Sequence, residues 1–102
     1  MTIEYIRYRI PADQADAFLA AYQEASAFLD RSEHCLGYEL ARGLEEPENW
    51  ILRIEWDSLE GHEQGFRKSA DFRKFFVLVR PFFDAIEEMK HYEASAVSRA
   101  AR

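Results

Sequence analysis

The sequence predicts an α+β domain, a four-stranded antiparallel sheet with its helices on one face, in the order β-α-β-β-α-β. Three observations carry that prediction. Trp50, Leu52, Ile54 and Trp56 alternate with Ile51, Arg53, Glu55 and Asp57, the two-residue period of a strand. Phe18, Tyr22, Ala25 and Leu29 form a single stripe at helical spacing, while Asp16, Gln23 and Asp30 fall away from it. Phe72, Phe75, Phe76, Val79 and Phe83 form a second helical stripe after the strand. The order is that of the split βαβ arrangement.

The elements follow in turn. Residues 2–10 read as the first strand, with Ile6, Tyr8 and Ile10 on one face and Tyr5, Arg7 and Arg9 on the other. Pro11 ends it, because a strand interior needs the N–H that proline lacks, yet proline is tolerated in a first helical turn. The amphipathic helix of Phe18 and Tyr22 can therefore start at once. After a polar connection at 31–34, Leu36, Tyr38 and Leu40 mark one face of the second strand. Residues 45–49, Glu-Glu-Pro-Glu-Asn, supply turn chemistry, so the second and third strands should pair as an antiparallel hairpin. Ser58 can cap the broken helical segment 58–80, Glu60 suits its first turn, and Ser69 offers a second cap inside it. Pro81 breaks the chain before a last strand at 86–92.

A chain of 102 residues matches one domain, expected over 1–93, with 94–102 as a small, polar, flexible tail. Eight Phe, five Tyr and two Trp are more than a small interior accommodates. That excess favours a subunit interface or an aromatic-walled cavity. Both strand faces carry large groups, so the face without helices is expected to be buried by a second copy in a two-fold dimer. A net charge of −6 leaves no basic stripe for nucleic acid. The single Cys35 permits neither an intrachain disulfide nor a paired-cysteine metal site. No basic, apolar signal peptide opens the sequence and no apolar run approaches the ~20 residues of a membrane span, so a cytoplasmic location is expected.

The segment Trp56-Asp57-Ser58-Leu59-Glu60-Gly61-His62, followed by Phe66, Ser69 and Phe72, resembles the antibiotic biosynthesis monooxygenase family, as do Pro81-Phe82-Phe83 and His91-Tyr92-Glu93. The resemblance covers about residues 2–93. It implies a ferredoxin-like domain that dimerises sheet to sheet into an α/β barrel, with a pocket between sheet and helices. It also implies a choice between cofactor-free oxygenation of quinols or reduced polycyclic phenols and haem degradation. The haem branch is disfavoured residue by residue: its iron-ligating His falls on Phe76, its Trp on Phe66, and its strand Asn has no equivalent among Tyr5, Ile6, Arg7 and Tyr8.

Cofactor-free oxygenation needs a deprotonated substrate and a fixed group that holds the anion. His62 or His91 would be the base, and Arg53, Arg7 or Tyr5 the anion holder, with Trp56, Phe66, Phe72 and Phe76 as apolar walls. The same aromatic residues also suit plain core packing. His34 beside Cys35 is not expected to form a catalytic pair, since neighbouring strand residues point to opposite faces. No metal site is expected either, because His34, His62 and His91 are far apart in sequence, although folding can bring distant residues together. The leading expectation is a homodimeric, cofactor-independent monooxygenase of a quinol-like or polycyclic aromatic substrate. The alternative is a non-catalytic dimeric domain that binds a small apolar ligand or serves assembly. Haem binding without degradation would require an iron ligand at an unfamiliar position.

Overall fold

The computed structural model describes residues 1–101. Strand β1 (Thr2–Arg9) buries Glu4, Ile6 and Tyr8 on one side and leaves Tyr5, Arg7 and Arg9 on the other, as a pleated strand must. A 3₁₀ turn at Ala12–Gln14 leads into α1 (Ala15–Asp30), which buries Ala15, Phe18, Tyr22, Ala25 and Leu29. That stripe is the one expected from sequence, extended by one turn. Strand β2 (Cys35–Arg42) and strand β3 (Asn49–Trp56) form the anticipated antiparallel hairpin. Its loop is closed by Gly43 N–H on Asn49 O at 2.7 Å and Asn49 N–H on Glu46 O at 2.9 Å.

The segment after β3 is broken, as its sequence suggested. Ser58 Oγ accepts the Gly61 N–H at 2.9 Å, and the chain then makes a π turn (Gly61–Gly65) and a 3₁₀ turn (Phe66–Lys68). Ser69 caps α2 (Ala70–Val79), its Oγ accepting the Phe72 N–H at 3.1 Å. Beyond a 3₁₀ turn containing Pro81 (Arg80–Ala85), β4 runs Ile86–Glu93. The weak alternation of that last strand has a cause in register. A bulge opposite Arg7/Tyr8 shifts its pairing with β1 and breaks the two-residue pattern. A second irregularity, between Cys35 and Gly37, takes Leu36 out of line with Tyr38 and Leu40 and leaves it 57% exposed.

The strand order is β2-β3-β1-β4, antiparallel throughout, with α1, α2 and the shorter helical turns all on one face. The expected α/β barrel is corrected by this arrangement. The sheet is open: β2 pairs only with β3 and β4 only with β1 among the described residues, so both edges end unclosed. Four strands cannot curl around an interior filled by side chains, which takes about eight. The core therefore lies between one sheet face and the helices, where Phe18, Trp50, Leu52, Ile10 and Leu29 are almost wholly buried. None of the described helices is long and apolar enough to cross a membrane.

Candidate functional site

A cavity of about 210 Å³ lies between the sheet and α2. Its floor is the helix-facing row of the central strands, with Ile6 and Tyr8 from β1 and Ile54 and Trp56 from β3. Phe66, Phe72, Phe75, Phe76 and Val79 close it from above, and Met89 and Ile86 of β4 from the side. The rings meet mostly edge to face: Phe66 against Phe72 at 5.5 Å and 86°, and Phe76 against Phe83 at 5.9 Å and 70°. Helical periodicity explains why these residues share a face. It does not explain why the face stays partly unfilled.

Two polar groups interrupt the apolar lining on β1. Tyr8 bonds its hydroxyl to that of Tyr22. Burial pushes Tyr8 up to about 12 and Tyr22 higher still, so both remain neutral phenols. Two pleats earlier stands Glu4, 2% exposed. Its Oε1 accepts the Trp56 indole N–H at 3.2 Å, lies 3.5 Å from His62 Nε2, and its Oε2 lies 4.0 Å from the Arg67 guanidinium. Burial raises the Glu4 carboxyl above the ordinary carboxylate range, while the Trp56 hydrogen bond, His91 and Arg67 pull it back.

His62 is also 2% exposed and stacks on Trp56, ring centroids 4.4 Å apart and planes 12° from parallel. The π turn that carries it packs tightly on the His34–Asp57 pair (Nδ1 to Oδ2, 2.8 Å). A Cβ at Gly65 would meet His34 Cδ2 at 2.5 Å, and one at Gly61 would strike Asp57, so only glycine permits that approach. Desolvation, with Arg67 and His91 nearby, lowers His62 to about 3 and keeps it neutral. Arg67 Nε donates to His62 Nε2 at 3.3 Å, which assigns the imidazole proton to Nδ1; that N–H donates to His91 Nε2 at 2.7 Å. His91 is placed by strand register, directly opposite Glu4 across the β1–β4 ladder.

Of the residues named from sequence, the fold brings His62 and His91 into contact and sets Trp56, Phe66, Phe72 and Phe76 around the cavity. It puts Tyr5, Arg7 and Arg53 on the opposite sheet face. There Arg53 donates to Tyr5 Oη at 3.2 Å and pairs with Glu55 at 3.0 Å, and Arg7 pairs with Glu87 at 3.1 Å. The guanidinium on the cavity side is that of Arg67. Sequence reasoning missed Glu4, although its signal was present: one more step back along Ile10, Tyr8 and Ile6 reaches an acid in the apolar phase of the strand. Arg67 had no such signal, because its place depends on the irregular turns before α2. Cys35, whose thiol burial raises, bonds to Gly37 O rather than to His34.

The profile of the antibiotic biosynthesis monooxygenase family matches residues 1–77. An uncharacterised protein of Bacillus subtilis (strain 168), YczJ, is 25% identical over 76 residues, covering 74% of this chain and 80% of that protein. A solved structure of a candidate antibiotic biosynthesis monooxygenase from Bordetella bronchiseptica superposes with a TM-score of 0.75 at 24% identity, covering 92% of this chain and 96% of that one. Another such candidate, from Chloroflexus aurantiacus J-10-fl, gives 0.76 at 20% identity, covering 96% of each chain. At these identities the structural likeness establishes the fold.

Proposed function

The chain belongs to the antibiotic biosynthesis monooxygenase family, and on that premise we propose that it oxidises a planar, electron-rich aromatic substrate of the quinol or polycyclic phenol class with dioxygen. The observation that carries this reading is the union of an aromatic cavity with a polar edge, where buried Glu4 and His62 and half-exposed Arg67 line the cavity and His91 touches His62 from behind. The apolar walls suit flat rings and exclude water, which strengthens the electrostatics of the edge. The edge itself takes the hydroxyl proton, and the Arg67 guanidinium holds the anion that results.

The chemistry balances without an added reductant. The phenolate or enolate passes one electron to dioxygen, and recombination at a hydrogen-bearing carbon of the ring system forms a C–O bond. The protonated hydroperoxide then loses its remaining C–H proton together with hydroxide and leaves a ketone. One oxygen atom ends in the product and the other in water; all the electrons come from the substrate.

In this reading the protein works as a homodimer, which sedimentation should detect at micromolar concentration. Oxygen uptake with a panel of quinols and anthrones tests the activity. Consumption matched one to one by oxidised product, and lost in His62→Ala, is the expected result. Substrates that bind and quench tryptophan fluorescence without consuming oxygen would overturn it in favour of a non-catalytic ligand-binding domain.

A further inference from the structure

We propose that Glu4, His62 and His91 bind a divalent transition-metal ion with its free coordination positions facing the aromatic cavity. One ligand atom from each residue lies within 4.8 Å of those of the other two. Glu4 and His91 face each other across a β ladder, and His62 is fixed by its stack on Trp56. The residues lie 58 and 29 positions apart in sequence, taking 62 − 4 and 91 − 62, so only the fold assembles them.

The charges at this edge favour a cation. Glu4 is a buried carboxylate whose close hydrogen bond is a single indole N–H, with the nearest guanidinium 4.0 Å away and 39% exposed. His62 lies between the other two, its Nε2 3.5 Å from Glu4 Oε1 and its Nδ1 2.7 Å from His91 Nε2. An ion bonded to His62 Nδ1 and His91 Nε2 would take the place of the proton that they share at 2.7 Å. Nitrogens bound at ~2.1 Å in a tetrahedral site sit ~3.4 Å apart, so the pair opens by ~0.7 Å. The remaining proton moves to His62 Nε2, beside Glu4 Oε1 at 3.5 Å, and frees the Arg67 N–H that this nitrogen had accepted. The Trp56 N–H already orients the carboxylate as an outer-shell partner does.

Two imidazoles and one carboxylate select zinc, cobalt, nickel or iron(II) over magnesium or calcium, which prefer all-oxygen sites. Three protein ligands leave positions open. The inference rests on the proposed function only in what those positions face: a substrate oxyanion, which the ion would hold alongside Arg67.

Titration of chelator-treated, dialysed protein with Co(II), followed by visible absorbance, and with Zn(II), followed by calorimetry, tests it. One ion per chain is expected. His91→Ala and Glu4→Gln should weaken binding ~100-fold or more, since even outer-shell losses cost ~10–100-fold. Arg67→Ala, which removes a positive charge, should tighten it severalfold, and His34→Ala should change nothing. Wild-type protein supplies a measurement free of folding effects: the ring resonances of His62 and His91 should shift with Zn(II) while those of His34 stay. Binding no stronger than in the His91→Ala protein, or shifts confined to His34, would overturn the site. Metal-free protein that still oxidises quinols or anthrones, with no ion bound on titration, would sink the metal and leave the activity standing. Protein that binds the ion through these residues and oxidises none of the panel would do the reverse.

Discussion

The two faces of the sheet solve the same problem, where to put charge, in opposite ways. On the face away from the helices, Arg7, Arg53, Glu55, Glu87 and Glu88 lie side by side in partly exposed ion pairs of 3.0 to 4.0 Å. Each such pair is worth about 0–1 kcal/mol, because water already solvates both partners. On the helix face, Glu4 and His62 are shut away among aromatic rings, and their protonation states are bent by burial. Burial without full compensation costs stability, and perturbed groups of this kind gather where chemistry or binding is done. The difference argues that the covered face carries the site, even though the exposed face has more charges.

The largest effect expected from this contrast is on stability. Trp56 is fully buried, carries the His62 stack and donates to Glu4, so Trp56→Ala should lose about 3–5 kcal/mol in chemical denaturation. Ile51, 42% exposed on the other face, should lose less than about 1 kcal/mol on the same substitution. Equal losses would mean that the bare face is as buried in solution as the core.

Next in size is the split between the two arginines. Arg67→Ala should reduce turnover of the best quinol or anthrone by ~10²–10³-fold, the usual effect of removing a donor that holds a developing anion. Arg53→Ala, across the sheet and tied to Tyr5 and Glu55, should stay within about twofold of wild type. Steady-state oxygen uptake distinguishes them, and a reversal of the two would move the site to the other face.

The pH dependence of folding sharpens the contrast further. His62 has its proton affinity lowered from 6.5 to about 3, so between those values the unfolded chain binds more protons than the folded one. Its contribution therefore makes stability fall as pH drops through that window. The exposed His34–Asp57 pair has the opposite histidine sign. His34 is raised by its bond to Asp57, so that contribution is present below 6.5 and fades as pH rises through the folded value. Asp57 is lowered, and its share fades in acid. Denaturation of wild type and His62→Ala at pH 7 and pH 4.5 should show the wild type losing more on acidification. Finally, Glu4→Gln should change stability by about 1 kcal/mol in the stabilising direction, because it removes a buried charge and keeps an acceptor for Trp56.

Much of the fold was legible because periodicity reports which side of an element is covered. The stripe Phe18, Tyr22, Ala25 and Leu29 and the row Trp50 to Trp56 are each buried as their spacing required. Ser58 and Ser69 were readable as caps because the needs of a helix N-terminus are local. That Arg53 and Tyr5 lie opposite each other was set by the β1–β3 register, between residues distant in sequence. Which side of the sheet the cavity occupies was not readable from charge alone, and that is why Arg67, rather than Arg53, stands beside the imidazoles.

The amino-acid order by itself determined the β-α-β-β-α-β succession, the apolar face of each element and the helix starts, since all of these depend on residues within a few positions of one another. Only the tertiary structure decided that the sheet stays open, that Glu4 meets His91 across a ladder, and that a π turn drops His62 between them. Those outcomes depend on register and on irregular turns. A shift of one residue in either would send the same side chains to the opposite face.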